Sequence, residues 1–308
     1  MLLATTAQHT AHHLTYLQAI IIGIFQGITE LFPVSSLGHT VLIPKLFGWD
    51  TLVTSEAASE SFYLAFVVGL HVANALALLC FFWRDWVRIV RAFFVTLRTR
   101  RVETSTERLA WLIVVATIPC GLLGLLLEHR IRTLLAKPLS AAFFLMVNGV
   151  ILLAGERVRR RSVVRELAAR EGATPEGSRR LETLEYREAA IIGVSQTAAL
   201  IAGISRDGIA MVAGLVRGLN NEDAAKFAFL LATPIILAAG IYKIPDLLGP
   251  NGNSVRGQVL VASIVTFFES LISVRYLMRY FKTRNLIPFG LYCLAFGGFM
   301  TLFILSGA

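Results

Sequence analysis

The chain has 308 residues, of which 56% are hydrophobic and only 16% are charged. A soluble domain carries about 25% charged residues, and a mean hydropathy of +0.67 is too apolar for a soluble fold. This composition excludes a disordered chain, a disulfide scaffold and an ordinary cytosolic enzyme. The net charge of +9 indicates basic cytoplasmic loops of a membrane protein, so no nucleic-acid partner is expected.

Apolar stretches recur along the whole sequence, and a membrane-spanning helix needs about 20 mostly apolar residues. The strong candidates are residues 62–83, 109–127, 139–155, 226–242, 257–274 and 287–306. Two further apolar regions, 16–48 and 188–219, are interrupted by Gly, Pro and polar residues. The sequence therefore predicts an all-α fold, a polytopic bundle of membrane helices forming a single domain over residues 1–308.

The charged connections predict how the chain is oriented. Seven arginines lie in 84–108, nine in 156–187 and four basic residues in 275–286, whereas 50–61 is acidic. Basic loops stay in the cytoplasm, so the acidic stretch should face the other side and 156–187 should be a polar cytoplasmic insert. Counting the passes between these loops, each interrupted region enters and returns on one face, and the two do so from opposite faces. With the N-terminus outside, we therefore expect two re-entrant helix-hairpins, the alternative being that each region makes two short passes.

The two interrupted regions also resemble each other. Residues 23–38 are GIFQGITELFPVSSLG and residues 193–208 are GVSQTAALIAGISRDG. A constant offset of 170 pairs Gly23 with Gly193, Gln26 with Gln196, Ser35 with Ser205, and Gly38 with Gly208. We interpret them as an inverted repeat, with one copy at about 16–127 and the other at about 188–306. Inverted repeats place a binding site near mid-membrane; the alternative is chance similarity between two Gly-rich apolar stretches.

The first interrupted region carries an acid, two hydroxyls and an imidazole. Gln26 and Glu30 are four residues apart, so a helix places both on one face. A carboxylate in an apolar region is costly unless it is paired, wetted or bound to a cation, so it indicates a functional site; the alternative is an ion pair with an arginine. Ser36 and His39 predict a nucleophile with its base, unless the hydroxyls of Ser35 and Ser36 only satisfy the backbone at the break.

The second interrupted region carries the segment Ser205-Arg206-Asp207-Gly208. A buried arginine needs an anion, and its planar fork suits phosphate oxygens. Small neighbours let backbone N–H groups approach the same anion at a helix start. The alternative is an internal ion pair of Arg206 with Asp207 or Glu30.

Should the two breaks meet, Glu30, Ser36, His39 and Arg206 would form one constellation, which suits phosphoryl transfer. We expect substrate binding by Arg206, Ser35, Ser205, Asp207 and Gly208. His71 and Asn74, one helical turn apart in the span 62–83, either line this cavity or form a helix–helix hydrogen bond.

The combination of QGITELFPVSSLGH and GISRDG resembles the two signature segments of the undecaprenyl-diphosphate phosphatase family, also called the bacitracin-resistance family. The similarity covers most of the chain, including FFWR at 81–84, IPCGLLGLL at 118–126 and FAFLLATP at 227–234.

The resemblance implies an enzyme that removes one phosphate from undecaprenyl diphosphate, recycles the lipid carrier for peptidoglycan synthesis and confers bacitracin resistance. It implies a multi-pass protein of the bacterial plasma membrane, with membrane lipids around it, a site facing the outside and a possible homodimer. The same resemblance makes Ser36 the nucleophile, His39 its helper and Arg206 the phosphate-binding residue. Glu30 and Gln26 would bind a divalent cation, Mg²⁺ or Ca²⁺.

The chain departs from the family pattern in both segments. The family often has Glu where this chain has Gln26, and hard cations prefer carboxylates. The second segment commonly is SRSGxT, but here Asp207 and Ala210 replace its two hydroxyl residues. Asp207 could hold a cation, orient Arg206 or, if no cation is present, repel a diphosphate.

Two other functions deserve comparison with the phosphatase. A transporter of undecaprenyl phosphate is the alternative, because inverted repeats are a transporter architecture and Arg206 would bind the same head group. A phosphatidic-acid-type phosphatase is rejected, because that family needs a histidine after its Ser-Arg pair and none follows Arg206.

Overall fold

The computed structural model describes residues 14–49, 52, 62–135, 137–169, 180–249, 253 and 255–307. Eleven α-helices make up most of this part of the chain. They are α1 (Tyr16–Thr29), α2 (Ser36–Leu46), α3 (Phe62–Phe81), α4 (Trp83–Thr99), α5 (Ser105–Leu135), α6 (Pro138–Ala169), α7 (Tyr186–Ser195), α8 (Arg206–Val216), α9 (Asn221–Leu248), α10 (Arg256–Tyr280) and α11 (Ile287–Leu305). The predicted all-α fold is confirmed.

All six predicted spans are helical. Within the described residues, five helices are long and apolar enough to cross a membrane: Ser105–Leu127, Pro138–Arg161, Asn221–Tyr242, Arg256–Tyr280 and Ile287–Leu305. The apolar part of α3, Gly69–Phe81, is shorter. The chain is therefore a polytopic helical membrane protein.

The basic connections are less irregular than expected. Residues 84–108 were predicted to be a loop, which is wrong, because α4 occupies most of them. Its buried residues Ile89, Ala92 and Thr96 follow helical spacing, and arginine is a good helix former. Because this segment contains so many charged residues, its hydropathy did not predict the amphipathic helix α4.

The polar insert 156–187, in which we expect a short surface helix from the sequence, is partly helical, since α6 continues through it to Ala169. Glu156 binds Arg159 at 2.8 Å and Arg160 at 3.0 Å, and such i,i+3 and i,i+4 pairs support a helix. The Gly/Pro segment of this insert and the acidic residues Asp50, Glu56 and Glu60 lie outside the described residues.

The two interrupted regions have the same construction. Each is a helix, a break and a second helix: α1 and α2 in the first, α7 and α8 in the second. Equivalent glycines also pack alike: a Cβ at Gly23 would lie 2.9 Å from the carbonyl oxygen of Ala262, and one at Gly193 would overlap the carbonyl of Ala116. These matching close approaches support the repeat interpretation; its boundaries and membrane sidedness stay predictions.

Candidate active site at the two helix breaks

The first break presents a buried carboxylate. Helix α1 ends at Thr29, and Glu30, only 7% exposed, is its C-terminal cap. Gln26 lies one turn earlier, and its Nε2 donates to Glu30 Oε2 at 3.0 Å. The prediction that these two side chains share a helix face is confirmed. Gln26 Oε1 is buried and has no hydrogen-bond partner among the described residues.

Helix α2 begins directly after this break with the residue predicted to be the nucleophile. Ser35 has φ +68°, in the left-handed region, and its Oγ accepts the N–H of Gly38 at 3.2 Å and so caps α2. Ser36 is the first residue of α2, and its hydroxyl donates to Glu30 Oε2. A strained backbone at this point is typical of functional sites, and it aims Ser36 back at the end of α1.

The second break is built in the same way. Gly203 has φ +105°, and Ser205 Oγ accepts the N–H of Gly208 at 3.1 Å, which caps α8. Arg206 is the first residue of α8. Its Nη2 donates to Glu30 Oε1 at 2.7 Å and its Nε to Asp207 Oδ1 at 3.3 Å.

The two breaks touch each other. Ser35 Oγ accepts the N–H of Gly203 at 3.1 Å. Asn148 of α6, fully buried, joins the backbones on either side: its Nδ2 donates to Pro33 O at 3.0 Å and its Oδ1 accepts the N–H of Ser205 at 3.0 Å. The convergence expected from the sequence is therefore observed.

Three of the four predicted catalytic residues lie together, because Ser36 and Arg206 both contact the carboxylate of the third, Glu30. Ser36 and Arg206 each donate to a different oxygen of Glu30. The internal ion pairs considered as alternatives are both present, since Arg206 contacts Glu30 and Asp207. The Arg206 side chain remains 14% exposed, so ion pairing and anion binding are compatible.

His39 does not form the expected hydrogen bond with Ser36. Its Nδ1 lies 2.7 Å from Ser35 O and its Nε2 lies 2.8 Å from the Tyr292 hydroxyl, while its ring stacks on Phe296. The reason is tertiary packing: residues three apart on α2 share a helix face, but the imidazole contacts Tyr292 and Phe296 of α11. The catalytic role of His39 stays a prediction.

The other predicted substrate-binding groups are engaged within the protein. The hydroxyls of Ser35 and Ser205 accept backbone N–H groups, and the N–H of Gly208 is one of them. Asp207 is 1% exposed, and its Oδ2 is buried with no partner among the described residues. These residues shape the two helix starts, and their contacts with substrate stay predictions.

Two residues outside the signature segments belong to the site. His71 of α3 places Nε2 3.4 Å from Glu30 Oε2, whereas its neighbour Asn74 accepts from Ser270 at 2.5 Å, a helix–helix hydrogen bond. The sequence left open whether these two residues line the cavity or form a helix–helix hydrogen bond; His71 does the former and Asn74 the latter. Asn148 is the second of these residues, since it joins the two breaks. Its sequence surroundings resemble any apolar span, so the one signal of its role in the sequence was a polar side chain inside such a span.

The arrangement favours an anion next to a nucleophile. Helices α2 and α8 both begin here, and the N-terminus of a helix attracts negative charge through its free N–H groups and its dipole. Arg206 adds a full positive charge. Ser36 has a carboxylate acceptor for its proton, so the site contains the groups that phosphoryl transfer requires.

Comparison with known proteins agrees with this chemistry. The family model for the bacitracin resistance protein BacA matches residues 19–299. The chain belongs to this family. It is 54% identical to undecaprenyl-diphosphatase 2 of Frankia alni, over 94% of this chain and 98% of the relative. It is 58% identical to the undecaprenyl-diphosphatase of Mycolicibacterium paratuberculosis (93% and 96% covered) and 57% identical to that of Mycobacterium avium (92% and 96% covered).

Proposed function

We propose that this chain hydrolyses undecaprenyl diphosphate to undecaprenyl phosphate and inorganic phosphate, so that the carrier lipid is recycled for peptidoglycan synthesis and bacitracin resistance follows. The observation that carries the proposal is the meeting of Ser36, Glu30 and Arg206 at two helix N-termini. Membership of the bacitracin-resistance family and the names of the relatives support it. The same names do not favour the alternative, a transporter of undecaprenyl phosphate.

The geometry supports a two-step reaction through Ser36. In the first step Ser36 Oγ attacks the terminal phosphorus, its proton passes to Glu30 Oε2, and the bond from phosphorus to the bridging oxygen breaks, which releases undecaprenyl phosphate. In the second step water attacks the phosphorus of the phosphoserine, the bond from phosphorus to Ser36 Oγ breaks, and the proton held by Glu30 returns to Oγ as inorganic phosphate leaves. Arg206 and the two helix starts stabilise the charge that develops on the phosphoryl oxygens.

His39 has a positioning contact in this scheme. Because its Nδ1 holds the carbonyl of Ser35 at 2.7 Å, it stabilises the turn that presents Ser36. Its predicted part in proton transfer would require the ring to leave the Tyr292 hydroxyl.

A divalent cation, Mg²⁺ or Ca²⁺, fits the same place. Glu30 Oε2 and the Gln26 amide oxygen, which has no partner among the described residues, would be the oxygen ligands that hard cations prefer once a half-turn of the amide exchanges Oε1 with the Nε2 that now faces Glu30. When bound, such an ion would neutralise part of the charge of a diphosphate.

We place the protein in the bacterial plasma membrane with this site open to the outer face, the isoprenoid tail lying between helices or in the bilayer. The basic connections around 100–104 and 281–286 support this orientation. In intact spheroplasts, a membrane-impermeant maleimide should label a cysteine at Asn253→Cys but not one at Thr283→Cys, in a background without native cysteines. The opposite pattern would reverse the orientation. A homodimer stays a prediction.

Phosphate release by the purified protein tests the activity. We expect Ser36→Ala and Arg206→Ala each to lower turnover of undecaprenyl diphosphate by roughly 10³-fold. Ser195→Ala and Arg159→Ala are matched controls, because Ser195 bonds only within its helix turn and Arg159 pairs with Glu156. Full turnover by Ser36→Ala would remove the nucleophile assignment, and no hydrolysis by the wild type would remove the proposed function.

A further inference from the structure

His71 contacts Glu30 Oε2, whereas Arg206 contacts Oε1, and the protonation of its Nδ1 follows from its contacts. Its Nδ1 lies 2.8 Å from Val67 O. A carbonyl only accepts, so Nδ1 carries a proton. The Nε2 atom then faces Glu30 Oε2 at 3.4 Å and the Gln26 amide at 3.5 Å. An imidazole with one N–H held by a backbone carbonyl is the usual arrangement of a metal-binding histidine.

The Gln26 amide supplies a second, independent observation. The side chain is 1% exposed and its Oε1 has no partner among the described residues, while its Nε2 faces Glu30 and His71. The two ends of an amide have nearly the same shape. A half-turn about the last side-chain bond would therefore exchange them and direct Oε1 at the other two groups. When Nε2 carries no proton, two oxygens and an imidazole lone pair then face one another, and a cation among them would turn this repulsion into attraction.

The distances among these three groups suit one small cation. Gln26 Nε2 and Glu30 Oε2 are 3.0 Å apart. His71 Nε2 lies 3.4 Å from Glu30 Oε2 and 3.5 Å from Gln26 Nε2. Two ligands each about 2.1 Å from an ion are roughly 3.0 Å apart at a right angle and roughly 3.4 Å apart at a tetrahedral angle. All three atoms can therefore bind one ion without a backbone movement.

We propose that His71 is a cation ligand, which together with Glu30 and Gln26 forms a site of one nitrogen and two oxygens. Imidazole nitrogen suits Zn²⁺ and similar transition ions, whereas Mg²⁺ and Ca²⁺ take oxygen ligands. His71 therefore raises the affinity of this site for transition ions much more than its affinity for Mg²⁺ or Ca²⁺. The proposal concerns the site of the proposed phosphatase, and it is tested by metal binding without substrate.

The test titrates full-length, detergent-solubilised protein with Zn²⁺, Mg²⁺ and Ca²⁺ in separate experiments. The protein carries no polyhistidine tag, and His9, His12 and His13 are replaced by Gln in every sample, because that N-terminal cluster would bind zinc by itself. In this background we expect one strong Zn²⁺ site per chain. The variant His71→Gln keeps a polar side chain and should weaken Zn²⁺ binding at least tenfold, while Mg²⁺ and Ca²⁺ binding change less than threefold.

Two further measurements keep the result interpretable. Co²⁺ bound to the histidine-depleted protein should give a visible ligand-field spectrum that changes in His71→Gln, and Gln26→Glu should tighten binding of all three titrated ions. Equal Zn²⁺ affinity and an unchanged Co²⁺ spectrum in His71→Gln, or no Zn²⁺ site in the parent protein, would overturn the proposal. Loss of hydrolysis with the His71-dependent Zn²⁺ site intact would instead refute the proposed function alone.

Discussion

Asn148 is the residue whose replacement most directly tests how the two breaks are held together. Its side chain is fully buried and joins Pro33 O to the N–H of Ser205, both at 3.0 Å. Leucine has the same number and branching of side-chain heavy atoms but can neither donate nor accept. Asn148→Leu therefore removes both hydrogen bonds without opening a large cavity.

The magnitude follows from the two backbone groups left behind. A buried donor or acceptor without a partner costs about 1–3 kcal/mol, so two of them cost about 2–6 kcal/mol. The burial of a leucine side chain in place of an amide offsets part of this. The breaks carry Glu30 on one side and Arg206 on the other, and a shift of about 1 Å between reacting groups lowers a rate by about 100-fold. We expect kcat to fall by that order and KM to change less.

Thermal unfolding in detergent and phosphate release measure the two effects. Thr266→Val is the matched control, because Thr266 is also fully buried and donates a single helix–helix hydrogen bond, to Gly23 O at 2.9 Å, away from the breaks. The control should lose some stability but keep its turnover. An Asn148→Leu protein that unfolds and turns over like the wild type would refute the idea that this amide holds the breaks in register.

Two more substitutions probe the second break. Gly203→Ala should destabilise the protein by about 3 kcal/mol or more, because φ is +105° and the new Cβ would lie 2.5 Å from the carbonyl oxygen of Ala141. The control is Gly121→Ala, where a Cβ meets nothing within 4 Å. Equal melting temperatures of the two variants would contradict this prediction. Asp207→Asn keeps an acceptor for Arg206 Nε but removes a negative charge beside the anion site, so KM for undecaprenyl diphosphate should fall about fivefold, the equivalent of about 1 kcal/mol. An unchanged or higher KM in steady-state kinetics would show that this charge does not oppose substrate.

Hydropathy predicted the fold wherever an apolar run decided the structure. It was wrong where an amphipathic helix carries many charges: α4 buries only a narrow face, containing Ile89, Ala92 and Thr96. Burial of that face depends on α5, as in the hydrogen bond from Trp111 to Thr96 at 2.9 Å. Such tertiary packing leaves no hydropathy signal in a basic stretch, so the sequence alone suggested a loop.

The site divides in the same way between local and distant contacts. Gln26 with Glu30 could be predicted, because helical spacing alone places four-residue neighbours together. The rotation of His39 towards Tyr292 could not, since it depends on a helix 253 residues away in the chain. The approach of His71 to Glu30 likewise depends on how α3 packs against α1. Spacing predicts which residues share a helix face, and packing decides what that face contacts.

The repeat explains why two similar breaks give one asymmetric site. Ser35 and Ser205, which are equivalent residues 170 positions apart in the two repeats, have the same structural role, since each caps the helix that follows it. The next positions, Ser36 and Arg206, are also equivalent and both begin a helix, yet one is a hydroxyl and the other a cation. Two equivalent helix starts thus direct the proposed nucleophile and the proposed phosphate-binding residue at the same carboxylate, Glu30, from the two repeats. Exchanging these two residues should therefore preserve the caps and abolish phosphate release, because the hydroxyl would begin α8 and no longer donate to Glu30 Oε2 from the start of α2.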